Sequence, residues 1–249
     1  MLANILEEIG PEGKERYVQE MFNTIAGEYD LMNRVMTAGM LRFWHKAFLQ
    51  VTGLRPGDHH LDVACGTGDL SRLTARQVGE RGHVTGLDFS HEMLAVARKR
   101  VEGSPLGARI AWVQGNAMDL PFDDNTFDGA SIGFALRNVS DIKKTLSEMA
   151  RVVRPGSSVV SLEISKPQNP VWRALFFLYF YNIVPLIDRL VMRGRAGRVR
   201  PYTYLPHSLT RFPEQQELSE IFREAGLRDV RVIPLSGGMT CLHVGTKPQ

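Results

Sequence analysis

Apolar residues along this chain recur in two different periods, and the switches between them mark its elements. From Lys14 to Ile25 the helical spacing puts Tyr17, Val18, Met21, Phe22 and Ile25 on one face, and a second helical stretch, rich in aromatics, runs from about Met40 to Val51. Short apolar runs then alternate with helical patterns: His59–Ala64, His83–Asp88, Ile110–Gln114, Phe127–Gly133 and Ser157–Ile164 read as strands. That alternation predicts a parallel, doubly wound α/β sheet. Asp141–Val152 reads as one of the intervening helices, with its acid early and Arg151 late as the helix dipole favours, and Arg154-Pro155-Gly156 as the turn before the next strand. Near the end, a helix from about Pro213 to Ala225 gives way at Gly226 to two β-prone runs, Val230–Pro234 and Thr240–Thr246. The turn-rich Ser236-Gly237-Gly238 between them predicts an antiparallel pair.

The stretch from Val171 to Arg200 breaks the alternation: it is greasy at first, passes Pro185, then turns basic. With no repeats and no low-complexity segment, the chain reads as one domain, 1–249, with an N-terminal helical cap at about 1–52 and an inserted helical cap at about 167–212.

The chemistry is concentrated where the first strand ends. His60-Leu61-Asp62-Val63-Ala64-Cys65-Gly66-Thr67-Gly68-Asp69-Leu70 is a strand, a glycine turn and a helix start, and Gly86-Leu87-Asp88 ends the next strand in an acid. Such a unit binds a nucleoside: the glycines let the backbone approach the ligand, and the distal carboxylate accepts from both ribose hydroxyls. Ser71 stands where a dinucleotide fingerprint needs its third glycine, and the loop carries Asp62 and Asp69 at its ends. Acids there suit a ligand bearing positive charge, so S-adenosylmethionine fits better than NAD, whose pyrophosphate needs the helix N-terminus. Ser90 supplies a helix cap, which frees Asp88 for the ribose. After the third strand, Asn116 is placed to bond an adenine edge and Ala117 leaves room for the ring. The expected cofactor residues are therefore Asp62, Gly66, Thr67, Gly68, Asp88, Asn116 and Ala117.

Beyond the fourth strand, Arg137-Asn138 places a fixed cation beside an amide in an otherwise apolar run, at the sheet edge where ligands of open α/β sheets bind. Arg137 either stabilises a developing anion in an acceptor or pairs with Asp141 or Glu163 for structure. A net charge of +3 is too small to argue for nucleic acid. Two cysteines make no disulfide framework and fit a reducing compartment, no Cys/His grouping has zinc spacing, and the acidic N-terminal segment is not a secretory signal.

Two further stretches carry a resemblance. Tyr29-Asp30-Leu31-Met32-Asn33-Arg34-Val35-Met36-Thr37 through Trp44, and Arg151-Val152-Val153-Arg154-Pro155-Gly156 through Leu162-Glu163-Ile164-Ser165, resemble the signature regions of the ubiquinone/menaquinone biosynthesis C-methyltransferases. Gly115–Phe122 and Ile132–Asn138 look closest to the menaquinone branch. The resemblance implies a Rossmann-like class I methyltransferase with a seven-stranded, mostly parallel sheet. It also implies S-adenosylmethionine as methyl donor, no metal, and C-methylation of a demethylated polyprenyl quinol to menaquinol, the benzoquinol of ubiquinone biosynthesis being the alternative acceptor. Thr37 stands where the first signature usually has serine, Leu41 where it has histidine, and Pro201 precedes Tyr202-Thr203-Tyr204-Leu205, which resembles the family's acceptor lid. Arg137, Asn138 and Tyr202 are the expected catalytic residues; Tyr202, His207 or a water held by Arg137 would take the acceptor's proton.

An NAD-linked oxidoreductase is disfavoured by the missing glycine. A nucleic-acid binder using Arg193, Arg195, Arg198 and Arg200 is disfavoured because the preceding aromatics are packed like a greasy helix instead of spaced for base stacking. Ala174–Ile187 is apolar for about 14 residues, broken by Asn182 and Pro185, whereas a spanning helix needs about 20. It therefore reads either as a buried helix or as the wall of a prenyl channel that docks on the bilayer with Arg193, Arg195, Arg198 and Arg200 on anionic headgroups. The expectation is a cytoplasmic enzyme that touches the membrane peripherally, with a homo-oligomer left open.

Overall fold

The computed structural model describes residues 10–27, 29–37, 39–184, 186, 204 and 208–249. Three helices come first: α1 (Gly10–Ile25), α2 (Tyr29–Met36) and α3 (Leu41–Val51). The α/β alternation follows as β1 (His59–Val63), α4 (Asp69–Val78), β2 (His83–Asp88), α5 (His91–Val101), β3 (Ile110–Gln114), β4 (Phe127–Gly133), α6 (Ile142–Val152) and β5 (Val153–Ile164). Then come α7 (Pro170–Leu178), which continues into a π-helical turn at Tyr179–Ile183, α8 (Gln215–Glu224), β6 (Arg228–Leu235) and β7 (Thr240–Thr246).

All seven strands form one sheet in the order β3-β2-β1-β4-β5-β7-β6. The first five are mutually parallel, while β7 runs antiparallel between β5 and β6, as the terminal pair in the sequence implies. The strand order reverses at β1, which lies between β2 and β4, so the crevice at the carboxyl ends of β1, β2 and β4 is the topological switch point where such sheets bind ligands.

Alternation along the central strands feeds two cores. Leu61, Ile132 and Val159 pack with Leu146 and Met149 of α6 and Phe222 of α8, whereas Val160, Leu162, Leu242 and Val244 pack with Trp44 and Phe48 of α3. Val159 and Val160 are adjacent and point to opposite cores, the period-2 behaviour of a strand buried on both faces. Capping follows the sequence: Ser90 Oγ accepts from Met93 N–H at the start of α5, and Asp141 Oδ1 accepts from Lys144 N–H at the start of α6.

Two expectations change. Arg154-Pro155-Gly156 does not precede β5 but lies within it. The pairing with β4 jumps from Phe127–Val153 to Gly129–Ser158, and Gly156 at φ +80° lets the intervening residues bulge out. The first family signature contains a helix of its own, α2, eight residues long, too short for its periodicity to stand out.

Candidate functional site

The turn after β1 is built by left-handed backbone at Ala64 (φ 52°), Gly66 (φ 54°) and Gly68 (φ 79°). At Gly68 a Cβ would sit 2.5 Å from the Trp112 ring, so both the conformation and the space demand glycine there. Asp88 fastens this turn from the end of β2: Gly66 N–H donates to Oδ2 (2.8 Å) and Ser90 N–H to Oδ1 (2.9 Å). Asp88 is 4% exposed, and burial pushes its pKa up to about 6 against the backbone amides of Ser90, Gly66 and Phe89.

Above the turn lies a cavity of about 370 Å³, within the range of small-molecule sites (about 300–1,000 Å³). Gly66, Asp88, Asn116, Ala117 and Phe134 border it, and Glu15, Arg16, Gln19 and Phe22 of α1 roof it. The roof is fastened where it meets the end of β2. Gln19 Nε2 donates to Phe89 O (2.9 Å) and Ser90 Oγ donates to Asn23 Oδ1 (2.6 Å). Asn116 Oδ1 accepts from Met118 N–H, which fixes the side chain so that its amide N–H group is the one left for a ligand. Each oxygen of Asp88 has accepted one backbone bond and retains capacity for another. A nucleoside with two ribose hydroxyls fits this donor and acceptor set.

Three expected cofactor residues do not border the cavity. Asp62 is 1% exposed and turned into the protein, where Ser71 Oγ donates to it at 2.5 Å and Ser131 Oγ at 3.4 Å. Burial pushes this carboxyl up to about 7. Ser71, whose presence marks the departure from the dinucleotide pattern, is thus the residue that engages Asp62. Thr67 Oγ1 accepts from Arg100 (3.0 Å), and Gly68 packs against Trp112. Asp69 is bonded by Arg72 (2.5 Å) and Arg100 (3.1 Å). The expected pair of loop acids therefore does not border the cavity; of Asp62, Asp69 and Asp88, Asp88 alone does.

A second, narrower cavity of about 120 Å³ adjoins the first and shares Phe22, Tyr29, Phe134 and Asn138 with it. Its walls are apolar and rich in methionine (Met21, Met36, Met40, Met239), side chains that adapt to irregular apolar guests. Arg137 borders it and makes the structural pairing as well: Nη1 lies 3.1 Å from Glu163 and donates to Phe134 O at 2.6 Å. Glu163 also accepts from Leu136 N–H at 2.7 Å. Both side chains are buried, and burial raises the Glu163 pKa while Arg137 opposes the rise. Asn138 sits on the wall between the cavities; Tyr202 and His207 lie outside the described residues. The sequence reading missed Tyr29 and Trp44 as cavity walls, whereas Phe176 and Tyr204 fall in the greasy stretch and in the stretch that resembles the acceptor lid. The signal was present in the aromatic helices on either side of the α/β core, but nothing in periodicity says that a face closes over a ligand instead of a core.

Residues 11–247 match the ubiE/COQ5 methyltransferase family. The chain belongs to that family. A demethylmenaquinone methyltransferase from Symbiobacterium thermophilum is 52% identical over 238 residues, 95% of each chain. The enzyme so named from Desulfitobacterium hafniense is 43% identical over 245 residues, 98% of this chain and 95% of that one. Among solved structures, a SAM-dependent methyltransferase from Aquifex aeolicus superposes with a TM-score of 0.59 at 22% identity, covering 81% of this chain and 88% of that one. A possible histamine N-methyltransferase from Thermotoga maritima gives 0.60 at 20% identity, with coverages of 92% and 99%. These place the ubiE/COQ5 member in the Rossmann-like methyltransferase fold. Groups of His, Cys, Asp and Glu able to hold a metal do not occur among the described residues.

Proposed function

We propose that this chain, as one methyltransferase domain with two helical caps, methylates a ring carbon of demethylmenaquinol to give menaquinol. One observation carries the reading: a cavity edged by Asp88 meets, across Phe22, Tyr29, Phe134 and Asn138, an apolar cavity that holds a buried arginine. S-adenosylmethionine, when bound, supplies an electrophilic methyl group on its sulfonium. The protein's own part is placement, polarity and exclusion of water. Asp88 accepts from the ribose hydroxyls, Asn116 donates to the adenine edge, and Ala117 leaves space for the ring. Phe134 and Tyr29 line both cavities and so stand between the two guests. Such alignment is worth up to roughly 7–11 kcal/mol.

A ring carbon of a hydroquinone becomes a good nucleophile as a phenol oxygen loses its proton. Arg137 cannot take that proton, since a guanidinium stays charged at neutral pH, but it stabilises the phenolate left behind. The test is incubation with S-adenosylmethionine and demethylmenaquinone, with mass detection of the lipid. Reduced acceptor is expected to gain one methyl group and oxidised acceptor none. Product from the benzoquinol analogue at an equal or higher rate would overturn the choice of acceptor.

The acceptor carries a polyprenyl tail, and one exposed apolar face supports a reading of how the tail enters. Val171, Trp172, Leu175, Leu178 and Leu186 are between 51% and 68% exposed, while Phe176, Tyr179 and Phe180 of the same segment wall the apolar cavity. No helix among the described residues is long and apolar enough to cross a membrane. We infer that this face lies on the bilayer surface and passes the tail inward. The basic Arg193, Arg195, Arg198 and Arg200, outside the described residues, would add about 1 kcal/mol each on anionic lipid. The buried free thiols of Cys65 and Cys241 support the cytoplasmic side of that membrane. Sedimentation with anionic vesicles is expected to carry the protein down, less so in high salt and less for a Trp172→Asp/Leu175→Asp variant. Equal binding to neutral and anionic vesicles, or to wild type and variant, would contradict the model.

A further inference from the structure

The wall of the apolar cavity holds three polar groups with no bonding partner among the described residues. Tyr204 is 3% exposed and Thr240 fully buried; the Oη of the first, the Oγ1 of the second and the Nε of Arg137 are all buried without a hydrogen bond. All three residues border the same cavity. Buried polar groups are nearly always bonded, so three exceptions on residues that border one apolar space point to a ligand that brings the partners with it.

Resting on the methyl-transfer reading above, we propose that Tyr204 donates a hydrogen bond from Oη to the quinol oxygen that Arg137 faces, while the Thr240 hydroxyl anchors the acceptor at a second polar point. Tyr204 suits the role of donor and not that of base. Burial pushes its phenol up to about 12, with the Arg137 charge pulling it down in part and Tyr17 pushing it up. At neutral pH it therefore keeps its proton. Its ring is held by Tyr17, with centroids 6.0 Å apart, so the hydroxyl is positioned before the acceptor arrives. The bond strengthens as the quinol oxygen gains negative charge. Tyr204 thereby favours the phenolate from which the ring carbon attacks, and the quinol's own proton leaves to another acceptor.

Tyr204→Phe keeps the ring and removes the hydroxyl. The expected result is a fall in kcat for reduced demethylmenaquinone of about 10- to 100-fold, the size of a hydrogen bond to a charged group. The rising limb of kcat against pH is expected to move up by about one unit, because the bound phenolate loses a donor. S-adenosylmethionine affinity and Tm stay at wild-type values, since no protein bond is broken. Thr240→Val, a second variant of nearly the same shape, is expected to raise KM for the quinol with little change in kcat. A Tyr204→Phe enzyme with wild-type kcat and an unshifted profile overturns the assignment. So does one that melts earlier with normal kcat, which would make the hydroxyl structural. If wild type itself fails to methylate the quinol while binding S-adenosylmethionine, the methyl-transfer reading falls, and this assignment with it; that control separates the two failures.

Discussion

Arg137→Met is expected to cost the fold about 3–5 kcal/mol, because it leaves the Glu163 carboxylate buried at 1% exposure without its cation. The same variant is expected to lose roughly 10²–10³ in turnover, the scale of one preorganised donor facing a developing oxyanion. The two losses have different origins and separate in a double variant. Arg137→Met/Glu163→Gln removes the stranded charge and should recover most of the stability while turnover stays low. Urea unfolding and methyl-transfer rates on the two variants decide it. If the double variant recovers turnover together with stability, Arg137 serves the fold alone.

Asp88 governs the other substrate, and its expected signature is a pH dependence. In the folded protein its carboxyl titrates at about 6, against 3.8 for the ordinary group. The folded state therefore binds the extra proton between these values; the stabilisation from that protonated form is complete below about pH 4 and lost as pH rises through about 6. Ribose hydroxyls donate to the carboxylate and not to the acid. S-adenosylmethionine affinity is thus expected to rise with pH over the same window and level off near neutrality. Asp88→Ala should weaken binding by at least about 1.5–3 kcal/mol and flatten the pH profile. Asp62 also titrates near 7, but it does not border the cavity, so calorimetry on Asp88→Ala at pH 5 and 7 isolates the Asp88 contribution. An unchanged dissociation constant in a folded variant would remove Asp88 from the site.

The strands were legible because their order and polarity reside in local pattern: every run named from the α/β core is a strand, and the last two pair antiparallel as their glycine turn implies. That Asp88 borders the cavity was legible, because a carboxylate at a strand end, past a glycine turn, sits at the sheet edge where the crevice opens. Asp62 was not, although it stands in the same motif. Which way a strand-end side chain turns depends on what waits for it, and here Ser71 and Ser131 wait on the inner side. Asp69 was misread for a similar reason, since its two arginines come from α4 and from α5, 31 residues away in the second case. Arg137 has the placement that each of its two readings requires. The sequence offered a structural pairing or a functional cation, and the geometry gives it Glu163 on one side and the cavity on the other. The second cavity was the least legible part, because its walls come from α1, α2, α3, α7 and β7, and no single stretch contains the shape.

The position of β7 has a bearing on how the chain comes to be folded. It pairs with β5 on one edge and β6 on the other, yet it is made after both. During vectorial synthesis the nascent sheet therefore presents β5 with a bare edge, and β6 waits with no neighbour at all. Open edges of that kind are templates for association with other chains. Slotting Thr240–Thr246 into the gap closes both at once, a single late step that joins Lys247 to the backbone carbonyls of Arg151 and Val153. A newly made chain is thus most exposed to misassociation just before that step, which is the interval in which a holdase chaperone has most to protect.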